Sequence, residues 1–263
     1  MFLILQVTMK GIFKDRVFHG ILMVALLLLS IPLLSQFSMR QVTELSITLS
    51  LSLISFILLL LAVFLGGTSI WKDMERRYTF SVLSLPVSRT SYLLGKFFGV
   101  ALFLLFTAFI LGGLALLVIW FVSGNFPPDR PIVWLNIVSA ICFDALKYIL
   151  LVAFAVLFST VSTSFFLPIF GAISIFFVGN ASQQVYDYVH SAAGQVLSVT
   201  VRNCASGLYY IVPNFSAFDF KVNAIYGLPI ATEGIFLTLG YLVVYSAIVL
   251  TLATMLFSRR EIK

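Results

Sequence analysis

The chain has 263 residues, of which 61% are hydrophobic and 10% are charged, and its formal net charge is +6. Several apolar runs reach the roughly 20 residues that a helix needs to cross a bilayer core of about 30 Å, which excludes a soluble globular domain. Runs of this length also exclude a β-barrel, which shows short alternating strands. The basic residues lie at the ends of the runs, a pattern that orients membrane proteins and does not indicate nucleic-acid binding.

The apolar pattern predicts an all-α polytopic membrane protein with six transmembrane helices. Before them, residues 1–16 form a predicted N-terminal interfacial helix, because Gln6, Lys10 and Lys14 share one stripe. An ordinary basic flank is the alternative interpretation of this stretch. The predicted spans are, in chain order, about 17–34, 46–70, 97–122, 134–158, 165–180 and 235–257.

The distribution of Lys and Arg predicts the orientation of the six spans. An even number of spans places both termini on one side, and eleven of the 16 basic residues fall on that side. Four fall on the other side, and Lys147 lies within a span. By the positive-inside rule the termini and the polar loop after span 2 are cytoplasmic.

The polar segment 71–96 separates span 2 from span 3. A helix over 71–85 would place apolar residues on one face and charged residues around Phe80 on the other. Pro86 would end this helix, because it lacks an amide hydrogen. An aromatic side chain ringed by charges is typical of a protein interface; the alternative is a solvated cytoplasmic loop held by lipid headgroups.

Asp144 and Lys147 are the exception to an otherwise uncharged interior. They lie on one helix face, and Asp144 is about 15 Å along the helix from Trp134, near the predicted midplane. Charged groups at that depth are costly and usually face a cavity or a partner. The pair is therefore either part of a pathway or gate, or a mutually neutralising pair that holds span 4 against its neighbours.

The segment 181–232 is the predicted external loop before the last span. It carries four charged residues, Asp187, Arg202, Asp219 and Lys221. A free aqueous domain of this length would expose more charge, so the composition predicts re-entrant helices that dip into the outer leaflet. A small external cap packed on itself is the alternative.

The motifs of common catalytic and metal sites are absent from the sequence. It contains no GxxxxGK[ST] phosphate loop, no HExxH and no CxxC, and its two histidines, His19 and His190, fall on opposite sides of the predicted topology. We therefore expect a chain that is not an enzyme and binds no cofactor or metal of its own.

The order of features around segment 71–96 resembles the permeases of the type-2 ABC exporter (ABC-2) family. The matching features are the acidic pair Asp73 and Glu75, the turn Tyr78-Thr79, the run Leu85-Pro86-Val87-Ser88-Arg89 and Gly95-Lys96 at the start of span 3. Relatives often have Gly-Thr where this chain has Tyr78-Thr79. The six-span plan, the amphipathic start, the apolar loop 211–219 and the basic end are also similar, so the resemblance covers nearly the whole chain.

The resemblance implies a single permease domain, 1–263, in the cytoplasmic (inner) membrane, with a coupling segment at 71–92. In the family this segment docks into a groove on a separate ABC ATPase subunit, which carries ATP and Mg. The residues that the resemblance assigns to this contact are Asp73, Glu75, Arg76, Arg77, Phe80 and Arg89. It also implies a second permease copy, forming a homodimer or a heterodimer with a similar permease.

Two other functions remain open from the residues. The same scaffold and ATPase could drive a mechanical action on an external partner through segment 181–232, without transport. An ATP-independent channel or carrier is the third reading, although carriers usually show internal repeats, which we do not find here. The apolar and aromatic interior suits an amphiphilic cargo, but aromatic residues equally serve helix packing and interfacial belts.

Overall fold

A computed structural model describes residues 2–28, 30–37, 41–75, 88–128 and 130–260, and all regular secondary structure in these ranges is helical. The α-helices of these ranges are α1 (Phe2–Phe13), α2 (Arg16–Leu28), α3 (Val42–Leu61), α4 (Gly67–Glu75), α5 (Arg89–Asn125), α6 (Trp134–Val161), α7 (Phe166–His190), α8 (Val199–Ile211), α9 (Lys221–Tyr226) and α10 (Thr232–Arg259). A π-helix, Ala62–Gly66, joins α3 to α4, and 3₁₀ helices lie at Ile31–Phe37, Ala193–Val196 and Phe215–Phe218.

The prediction of an all-helical polytopic protein is confirmed. Within the described ranges, five helices are long and apolar enough to cross a membrane: Val42–Glu75, Arg89–Asn125, Trp134–Val161, Phe166–His190 and Thr232–Arg259. The first predicted span, 17–34, is not among them. Its residues fall on α2, which has 13 residues, and on the following 3₁₀ helix, with residue 29 outside the described ranges.

Two helices extend beyond the spans that were predicted on them. Helix α5 begins at Arg89 rather than at Phe97, because Ser88 caps it: the Ser88 side chain accepts the backbone N–H of Ser91 at 3.2 Å. Helix α7 continues to His190 instead of ending at Asn180. Residues 181–190, predicted to belong to the external segment, are therefore its last turns.

Helix α6 forms the centre of the bundle and contacts α3, α4, α5, α7, α9 and α10. In the most apolar 18-residue stretch of α6, 72% is buried. In the same measure α7 and α10 are each 22% buried. Small residues allow the close approach to α6: a Cβ added to Gly66 would lie 3.2 Å from the Cβ of Ala155. Helices α7 and α10 therefore form the periphery, with large exposed apolar faces.

Helix α1 packs along the first half of α5. Thr8 is buried against Gly99, so closely that a Cβ on Gly99 would lie 2.8 Å from the Thr8 Cβ. Gln6, Lys10 and Lys14 are exposed on the other side of α1. The predicted polar stripe thus faces away from the bundle, while the interfacial location of α1 stays a prediction.

The segment after α7 first runs over the surface and then enters the bundle. Helix α8 has no buried residue. The 3₁₀ helix that follows has two fully buried phenylalanines, and Phe215 lies against Gly179 of α7. Phe220 then packs edge-to-face on Phe143, with ring centroids 4.7 Å apart. Because Phe143 is about 13 Å along α6 from its start, this part of the segment inserts well below the helix ends.

Candidate functional site

The polar end of the bundle is the end at which α4, α6 and α10 finish and α5 begins. Helix α4 carries the start of the predicted coupling segment. The backbone N–H of Trp71 donates to the hydroxyl of Ser159 on α6 at 3.1 Å, and the Trp71 ring packs edge-to-face on Phe165. Glu75 is exposed at the last turn of α4. Arg76, Arg77, Phe80 and Pro86, which carry the predicted interface helix, lie outside the described residues.

Asp73 is engaged within the chain. Its carboxylate lies 2.6 Å from the ammonium of Lys96 and accepts a hydrogen bond of 2.5 Å from the hydroxyl of Tyr92. The side chains of Asp73 and Lys96 are 21% and 14% exposed, so the ion pair is partly shielded from solvent. Both partners lie on α5, so these contacts join the two ends of the segment between α4 and α5.

Arg89, the first residue of α5, binds the end of α10. Its guanidinium donates to the backbone carbonyls of Ser258 at 2.8 Å and Arg260 at 3.0 Å. The last carbonyls of a helix lack partners within the helix, and a cation there is favoured by the helix dipole. Arg89 therefore caps α10 from another helix.

Two further contacts tie the polar end together. The guanidinium of Arg260 donates to the carbonyl of Thr160 on α6 at 2.5 Å. Lys72 of α4 forms an ion pair of 2.7 Å with Asp15, in the turn between α1 and α2. The ends of α4, α5, α6 and α10 and the start of α2 thus lie at one end of the bundle.

The intramembrane pair of the prediction forms a buried cluster between α3 and α6. Asp144 and Lys147 are 5% and 4% exposed and pair at 2.5 Å. The hydroxyl of Ser55 on α3 lies 3.1 Å from Asp144 and 2.7 Å from the hydroxyl of Tyr148. The Lys147 ammonium also lies over the Tyr148 ring, 4.7 Å from its centroid.

This cluster is neutral as a whole and joins two helices. The second carboxylate oxygen of Asp144 is buried and has no hydrogen-bond partner among the described residues. Ser55 is the only bond-forming partner from α3 that we find for the carboxylate in the described ranges. Asp144 and Lys147 stay paired whatever the position of α3, because both lie on α6; the link to α3 is the Ser55 hydroxyl, and moving α3 would leave buried polar groups without that partner.

Several contact residues were missed by sequence reasoning. At the polar end they are Tyr92, Lys96, Ser159 and Arg260, and in the buried cluster they are Ser55 and Tyr148. One signal was available: Arg89, Tyr92 and Lys96 are spaced three and four apart, so they share a face once a helix starts at Ser88. The others depend on which helices are neighbours, and hydropathy carries no such information.

The described helices define a multi-pass helical membrane protein, and the helix ends at residues 75 and 89 lie at the same polar end of the bundle. The family described as "ABC-2 family transporter protein" matches residues 2–262, so the chain belongs to this family. No curated protein matches the chain. Membership makes the chain an ABC transporter permease, which is not itself an ATPase, and implies an ABC ATPase partner.

Proposed function

We propose that this chain is the permease subunit of an ABC exporter and moves a substrate across the cytoplasmic membrane with ATP hydrolysed by a separate ATPase subunit. The family match over residues 2–262 carries this proposal. The arrangement of the polar end supports it, because the segment between α4 and α5 is anchored at both ends by Asp73 and its two partners on α5. A force that the ATPase applies to a segment held in this way would be transmitted to α4 and α5.

We infer six spans with both termini cytoplasmic, the first made by α2 and the 3₁₀ helix Ile31–Phe37. Asp15, just before α2, pairs with Lys72 near one end of the long helix Val42–Glu75. The chain must then reach the opposite end of that helix to begin α3. A helix of 13 residues covers about 20 Å and a 3₁₀ helix of seven about 14 Å. End to end they would cover about 34 Å, which is enough for a bilayer core of about 30 Å.

The six predicted coupling residues divide into two groups under this proposal. Glu75, which is exposed at the last turn of α4, and Arg76, Arg77 and Phe80 contact the ATPase. Asp73 and Arg89 do not contact the ATPase directly. They bind other helices of this chain, Asp73 at α5 and Arg89 at the end of α10, and so hold the segment in place. Motion of the ATPase on ATP binding would then shift the permease between two states.

A second permease copy completes the proposed transporter, as a homodimer or a heterodimer with a similar permease. The exposed apolar faces of α7 and α10 provide surface for that copy and for lipid. The segment after α7 is proposed to be re-entrant from the external side. The contact between Phe220 and Phe143, well below the helix ends, supports insertion rather than a separate cap.

Charge reversal in the coupling segment tests the proposal. We expect Arg76→Glu with Arg77→Glu to abolish permease-dependent stimulation of the co-purifying ATPase in proteoliposomes, while the chain remains folded. The matched control is Arg130→Glu with Arg202→Glu, the same change of charge at two exposed residues outside the segment between α4 and α5. Unchanged stimulation in the Arg76/Arg77 double variant would contradict the docking assignment.

The wild-type chain separates the remaining functions. A chain that purifies without any ABC ATPase and conducts solutes alone would contradict the proposal and indicate a channel or carrier. A stable ATPase complex whose hydrolysis responds only to an added external protein would indicate the mechanical function. Stimulation by a small amphiphile in sealed vesicles, with its movement across the bilayer, is the result that we expect.

A further inference from the structure

We propose that a closed ring of polar contacts joins the ends of α4, α5, α10 and α6, so that these four helix ends move as one body, and that Tyr92 is the positioning residue on which the ring depends. We call these contacts the basal ring. Its members are Trp71, Asp73, Arg89, Tyr92, Lys96, Ser159, Thr160 and Arg260. The proposal rests on the proposed function in one respect: the force on the ring comes from an ATPase bound to the segment between α4 and α5.

The first link joins α4 to α5. Asp73 accepts the Tyr92 hydroxyl at 2.5 Å and pairs with Lys96 at 2.6 Å, both through the same carboxylate oxygen. Hydrogen bonds to an ionised acceptor are shorter and stronger than neutral ones. Because Tyr92 is 1% exposed, water does not compete for its hydroxyl. This link therefore resists separation of the two helices.

The second link joins α5 to α10 and uses the same stripe of α5. The Tyr92 ring stacks on Phe257, which is fully buried, with centroids 5.9 Å apart. One turn earlier, Arg89 donates to the carbonyls of Ser258 and Arg260. Tyr92 thus contacts α4 with its hydroxyl and α10 with its ring.

The third and fourth links close the ring through α6. Arg260, just after α10, donates to the carbonyl of Thr160, and the neighbouring Ser159 accepts the N–H of Trp71 on α4. Ser159 and Thr160 are adjacent on α6, so α6 joins the end of α10 to α4 and closes the ring. Each of the four helix ends is consequently held on two sides.

Closure has a mechanical consequence. A closed ring fixes the relative positions of all four helix ends, whereas a ring that is weakened at one link becomes a series of contacts in which each end can turn about its neighbour. A push on the segment between α4 and α5 reaches α10 through α5 and reaches α6 through Ser159. Helix α6 is the buried centre of the bundle and carries the Asp144–Lys147 pair, so its displacement changes the whole interior.

The variant that tests the ring is Tyr92→Phe, which removes the hydroxyl bond to Asp73 and keeps the stacking on Phe257. Tyr188→Phe is the matched control, because Tyr188 is 54% exposed on α7, outside the ring. Lys96→Gln weakens the same α4–α5 link through a different residue, because it removes the ion pair with Asp73. If Tyr92→Phe fails to fold, Lys96→Gln provides the same test.

The first measurement is made on the isolated chain. After replacement of the exposed Cys142 and Cys204 by Ser, spin labels at Glu75→Cys and Arg259→Cys report the distance between the ends of α4 and α10. We expect one narrow distribution in the otherwise unchanged chain, and a width about twofold larger in Tyr92→Phe, because a charge-assisted hydrogen bond is lost. An unchanged width in both ring variants would overturn the ring.

The second measurement uses the unlabelled chain with its co-purifying ATPase. We expect Tyr92→Phe to retain the bound ATPase and to lower permease-dependent stimulation of ATP hydrolysis about tenfold, the change that corresponds to one lost hydrogen bond to a charged group. A normal response in this variant would overturn the role of Tyr92. Absence of any ATPase from the wild-type preparation would instead contradict the proposed function, and the distance measurement would still decide the ring.

Discussion

Neutralising either member of the Asp144–Lys147 pair should damage the protein more than neutralising both. The two side chains are almost fully buried, and Asp144 has Ser55 as a further partner. Removing one partner leaves the other charge uncompensated, which costs about 3–5 kcal/mol in buried pairs. The double variant Asp144→Asn/Lys147→Gln keeps both shapes and removes both charges, so we expect it to lie within about 1 kcal/mol of the wild type.

The assay is a double-mutant cycle on the purified chain in detergent. The midpoint of thermal unfolding is measured for the wild type, the two single variants and the double variant, together with the yield of folded protein. The summed losses of the single variants should exceed the loss of the double variant by about 5 kcal/mol or more. Asp187→Asn, an exposed acidic residue on α7, is the control and should change stability by less than about 0.5 kcal/mol.

Additive losses in this cycle would refute the reasoning, because they would mean that the two charges do not stabilise each other. The cycle also decides between the two roles of the pair. A double variant that folds and stimulates the ATPase normally makes the two charges a mutually neutralising pair with no role in transport. A double variant that folds but no longer supports transport makes the charges part of the pathway or gate.

The remaining predictions concern close approaches at glycine. Gly99→Ala places a Cβ 2.8 Å from the Thr8 Cβ, so we expect α1 to separate from α5, with faster amide exchange in α1 and a loss of about 1–3 kcal/mol. Gly113→Ala is the control on the same helix, because nothing lies within 4 Å of the added carbon, and it should be neutral or slightly stabilising. Gly179→Ala places its Cβ 2.5 Å from the Phe215 ring, and we expect a lower unfolding midpoint by a similar mechanism. Wild-type midpoints in both would contradict the packing that the structure shows at these positions.

Hydropathy was sufficient for the membrane-length helices but not for their ends. Residues 89–96 are polar enough to end an apolar run, yet they are helical because the Ser88 side chain caps α5. Residues 181–190 are polar as well, and they continue α7 with Gln183 bonded to Asp187 one turn later. In both cases local hydrogen bonding extends a helix beyond the part that lipid would cover.

The partners of the charged residues were harder to predict for a different reason. Alternation of spans shows that the ends of α4, α6 and α10 share a side with the start of α5, but it does not show which ends touch. Arg89 meets the carbonyl of Ser258 across 169 positions of sequence, and Arg260 meets Thr160 across 100. Such pairings follow from the packing of whole helices around α6, which a single sequence does not reveal.

These pairings change how the positive charge of the polar end should be interpreted. A count of Lys and Arg treats each residue as free to orient the chain or to meet a partner, yet Arg89, Lys96 and Arg260 already bind acceptors within the chain. A residue engaged in this way holds helix ends together, and its charged group is not free to bind an ATPase. Under the proposed function, contact with the partner then falls to Glu75 and to residues 76–87. Substitutions there should weaken binding of the ATPase. Substitutions in the basal ring should leave that binding intact and lower the permease-dependent stimulation of ATP hydrolysis.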